Sequence, residues 1–171
     1  MNISTPLKAW AAVGVALLGL HACLQSKPVV QTAAAPPAKP RVLVFSRTKG
    51  FVHSSIPFGI AAVQKLGKAN GFDVDTTKNA AYFVDDSLKR YAAVIFNCTT
   101  GNVLDPEQQT AFERYIQAGG GYVGIHSAAD TEYEWPWYNK LMGAYFASHP
   151  SNPNVRPAAV DVLDKTHAST T

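Results

Sequence analysis

The chain has 171 residues, enough for one domain with appendages. Hydrophobic residues make up 47% and charged residues 16%, a globular balance that excludes a disordered chain. The net charge of +3 is scattered, with no basic run and no interleaving of basic and aromatic residues, so no nucleic-acid partner is expected.

The N-terminal residues read as an address. Lys8 precedes an apolar stretch from Ala9 to Leu20, and roughly a dozen apolar residues suit a signal-peptide core but are too short to span a bilayer. Leu20-His21-Ala22-Cys23 follows and resembles the lipobox of bacterial lipoproteins. Residues 1–22 are thus expected to be a lipoprotein signal peptide, with Cys23 as the lipidation site. An exported protein is expected, anchored to a membrane through its lipid on the periplasmic or outer-membrane face. Residues 23–40 are rich in Ala and Pro and carry few large apolar side chains. Such a segment buries too little surface to fold and reads as a flexible tether. With Cys23 lipidated and Cys98 in a core strand, no disulfide is expected.

The folded part is expected from Arg41 to Thr171. Arg41–Ser46 and Tyr91–Asn97 are short continuous apolar runs that suit strands buried on both faces of a parallel sheet. Between them, Ile56, Ile60, Val63 and Leu66 recur at helical spacing over Ser54–Asn70, and Gly71 supplies the stop. Ser54 and Ser55 are expected to cap that helix. Phe72–Thr76 reads as a weaker strand. Asp105, Pro106 and Gln108 have the spacing of a capping box and open a helix to Ala118. Tyr122–His126 is a fourth strand, and the weak alternation of Arg156–Leu163 suggests a fifth. Strands alternating with helices predict an α/β fold, a mostly parallel sheet with helices on both faces in the flavodoxin style.

Three stretches resemble a known family: Phe51-Val52-His53-Ser54-Ser55; the run from Ala118 through Gly119-Gly120-Gly121 and Tyr122-Val123-Gly124-Ile125-His126-Ser127-Ala128; and Trp135-Pro136-Trp137-Tyr138 on to Phe146, closing with His149-Pro150. Together they are similar to the ThuA-like (trehalose utilisation) domain. The resemblance covers Arg41 to about His167 and implies the class I glutamine amidotransferase-like fold, with a role in trehalose or keto-sugar use. It places His126 where the amidotransferases carry their cysteine. Without a thiol there, no glutamyl thioester forms, so glutamine hydrolysis is not expected. The family's domain continues beyond the point reached here, so the chain is expected to be incomplete at its C-terminus.

Open α/β sheets bind ligands at the carboxyl ends of their strands. That rule singles out His53, His126 and Asp130 as the expected acid-base or ligand-polarising groups. Thr99, Thr100, Ser127, Trp135, Tyr138 and His149 are candidates for substrate contacts, with aromatic faces suited to sugar rings. Three converging imidazoles from His53, His126 and His149 would also suit a divalent ion such as zinc. Asp130 and Glu132 lie close by in sequence and are expected as supporting partners of the histidines or as further ligands. The expected partner is a sugar or keto-sugar, with a sugar dehydrogenase as an associated protein. A non-catalytic carbohydrate-binding or scaffold module and a metal-dependent hydrolase are the alternative readings.

Overall fold

The computed structural model describes residues 39–171. The expected signal peptide, the lipidation site Cys23 and nearly all of the expected tether lie outside the described residues. Pro40 already belongs to the sheet region, because its carbonyl accepts the Asp73 N–H at 2.8 Å.

Four parallel strands form one sheet in the order β2-β1-β3-β4: β1 (Arg41–Phe45), β2 (Asp73–Thr77), β3 (Ala93–Asn97) and β4 (Gly121–Ile125). The register pairs Val44 with Ile95 and Phe96 with Gly124, so side chains of matching parity share a face. On one face Val44 and Ile95 meet Val63 of α1 (Ile56–Asn70). On the other, Leu43, Phe45, Val94 and Phe96 meet the larger core. That core is built under α2 (Asp85–Leu88), α3 (Pro106–Gln117) and α4 (Pro136–Met142). Helices thus cover both faces, as a buried parallel sheet requires.

The local signals explain most boundaries. Gly71 ends α1 in the left-handed conformation at φ 74°, which glycine adopts without steric cost. Asp105 and Gln108 form a reciprocal capping box at the start of α3. Ser55, in contrast, occupies the cap position of α1 without a side-chain capping bond. Its hydroxyl lies 3.4 Å from Cys98 Sγ instead.

Two features differ from the sequence expectation. Arg156–Leu163 forms no strand, and the whole segment is exposed. Two valines at alternating positions do not make a strand unless a neighbour takes up the backbone hydrogen bonds. The segment Trp135–Met142, expected only as an aromatic cluster, contains helix α4.

Candidate functional site

Three loops leave the carboxyl ends of β1, β3 and β4 and are fastened to one another. Thr48 bridges to Thr100, and Gly101 bridges to Thr131. Thr100 Oγ1 donates to the Phe51 carbonyl at 2.9 Å and accepts from the Gly50 N–H at 3.2 Å. Thr99 Oγ1 is 2.9 Å from Thr131 Oγ1, and both residues are fully buried. Thr99 and Thr100 therefore serve the loops themselves. They do not line the cleft, and the expectation that they contact substrate is corrected.

The middle loop holds the outer two in place, and those two carry the histidines. His53 and His126 lie with ring centroids 4.5 Å apart and planes at 84°. Phe51 packs edge-on against His53 at 4.8 Å. His126 follows β4 directly and begins a 3₁₀ turn over His126–Asp130. Its φ of 53° is left-handed, as are those of Cys98 at 54° and Glu132 at 56°. Non-glycine residues held in that region cost on the order of 1–3 kcal/mol each and concentrate at functional sites. The sharp turn exposes the His126 ring and puts Ser127 beneath it, buried, with Oγ 3.2 Å from His53 Nδ1.

These groups form part of the lining of a cleft of about 670 Å³, together with Phe51, Ala129, Asp130, Tyr145, Phe146, His149 and Asn154. His53, His126, Ser127, Asp130 and His149 are all expected at such a site, and the fold brings all five to this cleft. Tyr145 and Phe146 also line it, although their sequence carries no sign of that beyond lying in a stretch that bears the family resemblance. Their placement depends on hydrogen bonds to distant loops. Tyr145 Oη donates to the Glu132 carbonyl at 2.6 Å, and the Phe146 N–H to the Ala129 carbonyl at 2.8 Å.

The electrostatics single out His53. Its pKa is held below the ordinary 6.5, first by partial burial and then by the neighbouring His126; Asp130 opposes both. At neutral pH it is therefore an uncharged imidazole that can accept a proton, with a carboxylate close enough to stabilise the charged form.

Three other expectations are corrected. Trp135 and Tyr138 sit in the main core, 7% and 0% exposed, and neither reaches the cleft. Trp135 Nε1 donates to Glu113, and Tyr138 Oη to the Ala128 carbonyl. Glu132 is 1% exposed and faces inward, accepting from the N–H groups of Val103 and Leu104 and from Gln109. Among the described residues no group of three or more His, Cys, Asp or Glu side chains is placed to hold a metal ion. His149 shares the cleft, with its Nδ1 3.0 Å from the Pro150 carbonyl, and among the described residues the three-imidazole set expected from His53, His126 and His149 is not assembled. Cys98, expected in a core strand, is a free, buried thiol one residue past the end of β3, beside the Ser55 hydroxyl and the Asn97 amide oxygen.

No curated protein matches the chain. A crystal structure of a ThuA-like protein from Bacteroides uniformis matches with a TM-score of 0.50 and 29% identity, covering 66% of this chain and 47% of that one. The chain thus spans about half the length of that structure. The ThuA family, described by trehalose utilisation, matches residues 41–171. A match that takes in every strand and helix described above settles the kinship: this chain belongs to the ThuA family.

Proposed function

We propose that the cleft binds a sugar or keto-sugar of the trehalose type and that His53 and His126 are its central polar groups. One observation carries the reading: two imidazoles at 4.5 Å, with Ser127 and Asp130, form the polar part of a cleft whose walls are Phe51, Tyr145 and Phe146. A sugar presents hydroxyls on its rim and C–H groups on its faces, so aromatic walls beside hydrogen-bonding groups match it. Neutral His53 would accept a proton from a sugar hydroxyl, and Asp130 would stabilise the imidazolium that results. Phosphate or sulfate esters fit less well, because the lining contains no Lys or Arg.

Calorimetry with trehalose and a 3-keto-disaccharide tests this reading. Binding is expected for one of them, and His53→Ala and His126→Ala are each expected to weaken it at least tenfold, the order of one lost buried hydrogen bond to a polar ligand. Affinity should fall as the pH drops below 6.5 and His53 becomes charged. Alanine variants that bind both sugars as the wild type does would refute the assignment.

We also propose that the protein is exported and lipid-anchored through Cys23, on the strength of Leu20-His21-Ala22-Cys23 after an apolar stretch. Several acyl chains hold a protein on a bilayer where one chain does not. In a bacterial host, the mature protein should partition into membranes and carry a diacylglyceryl mass at residue 23. Cys23→Ser should release it to the soluble fraction. An unmodified, soluble wild-type protein would contradict the anchor without touching the cleft.

A further inference from the structure

Tyr133 is not part of the cleft lining, yet it touches two groups that are. Its hydroxyl lies 2.7 Å from Asp130 Oδ1 and 2.7 Å from the Phe146 carbonyl. Both neighbours are acceptors, and the phenol has one proton to give. Its ring rests on Tyr145 at a centroid distance of 4.8 Å. Tyr145 is itself tied to the backbone at Glu132 and Trp135, and the Phe146 N–H is tied to Ala129. Tyr133 therefore links the Asp130 carboxylate to the Phe146 segment of the same cleft.

We infer that Tyr133 is a positioning residue that fixes the Asp130 carboxylate relative to His53 and couples its setting to the Phe146 wall. The inference rests on the reading of His53 and Asp130 as working groups of the cleft. The chemistry follows from the shared proton. A carboxylate draws a donor more strongly than a neutral carbonyl does, so the phenol O–H holds the Asp130 side chain first and the Phe146 carbonyl second. The burial of the hydroxyl and its contact with Asp130 raise the phenol pKa to about 12, which keeps the proton on Tyr133 throughout the working range. Around His53 the titratable groups that enter are His126 and Asp130, with His149 in the same cleft.

A double-mutant cycle read by imidazole NMR tests the role. Asp130→Asn alone should lower the His53 titration midpoint, since Asp130 raises it. In a Tyr133→Phe background the carboxylate is no longer held, and the same substitution should produce half that displacement or less. Phenylalanine keeps the ring on Tyr145, and Tyr133 is 44% exposed, so the fold is preserved. A merely structural Tyr133 would leave the two displacements equal, and that result overturns the inference. The measurement needs no sugar, so its outcome is separate from whether the cleft takes one.

Discussion

Replacing Glu132 by alanine is expected to destabilise the domain by about 3 kcal/mol, since each buried donor left without a partner costs about 1–3 kcal/mol. The carboxylate is 1% exposed and accepts three hydrogen bonds, at 2.7 and 2.8 Å from the Val103 and Leu104 N–H groups and at 2.8 Å from Gln109. Alanine removes all three acceptances. Gln109 is half-buried and can turn to water, but the two backbone donors cannot. The relief of no longer burying a charge offsets part of the loss. At about 3–5 °C per kcal/mol for a domain of this size, the thermal midpoint should fall by about 10 °C. Glutamine separates the charge from the acceptor: its carbonyl keeps the two backbone bonds, and Gln109 need only reverse its amide. Burial raises the Glu132 pKa above the usual 4.5, with its hydrogen bonds acting against that. On raising the pH the unfolded chain loses this proton first. The contribution of Glu132 to stability is therefore fully present below 4.5 and is lost as the pH climbs through the folded value. The difference in stability between wild type and Glu132→Gln should thus shift against the wild type as pH rises from 4 to 7. A difference constant across that range would show that the carboxylate titrates as an ordinary one.

Phe96→Ala should cost about 3–5 kcal/mol, the range for emptying a fully packed aromatic position. Phe96 is 0% exposed and its ring meets those of Phe45, Phe83, Phe112, Tyr122 and Tyr138 at 5.3–5.7 Å. Five rings cannot all move into the space of one, so a cavity remains. Two of them also lead to the site. Tyr122 and Tyr138 share a hydrogen bond at 2.7 Å, and Tyr138 holds the Ala128 carbonyl of the turn that begins at His126. Urea denaturation gives the stability, and Phe51→Ala provides the contrast. Phe51 is 70% exposed on the cleft wall, so its loss should leave stability within about 0.5 kcal/mol while weakening sugar binding. Equal losses of stability at the two positions would contradict the assignment of core and wall.

The sequence carried the architecture because its strongest signals are local. The apolar runs of β1 and β3, the helical spacing of Ile56, Ile60 and Val63, and the Asp105–Gln108 box each act within a few residues. His53, His126 and Asp130 were legible for a different reason: a parallel sheet puts every strand's carboxyl end on one rim, so position after a strand sufficed. What was misread depended on partners far along the chain. Thr99 and Thr100 stand at the same rim but turn toward Thr131, Gly50 and Phe51. Trp135 and Tyr138 have the composition of a sugar platform, yet they stack on each other, with Trp137 on Trp135 and Phe96 against Tyr138. Tyr133 and Tyr145 have no local signature at all, because their roles are hydrogen bonds to backbone and carboxylate brought near by folding.

Gly59 sits where α1 comes closest to the end of β3, and any side chain there would collide with the Asn97 amide. Asn97 is in turn fully buried and donates to Ser46 Oγ and to the carbonyl of Ile56. The Ile56 N–H closes back on His53 at 3.3 Å. The backbone that carries His53 is thus set by contacts with almost no slack. On the proposed reading of the cleft, its His53 side is arranged before a ligand arrives, so little entropy is spent in ordering it.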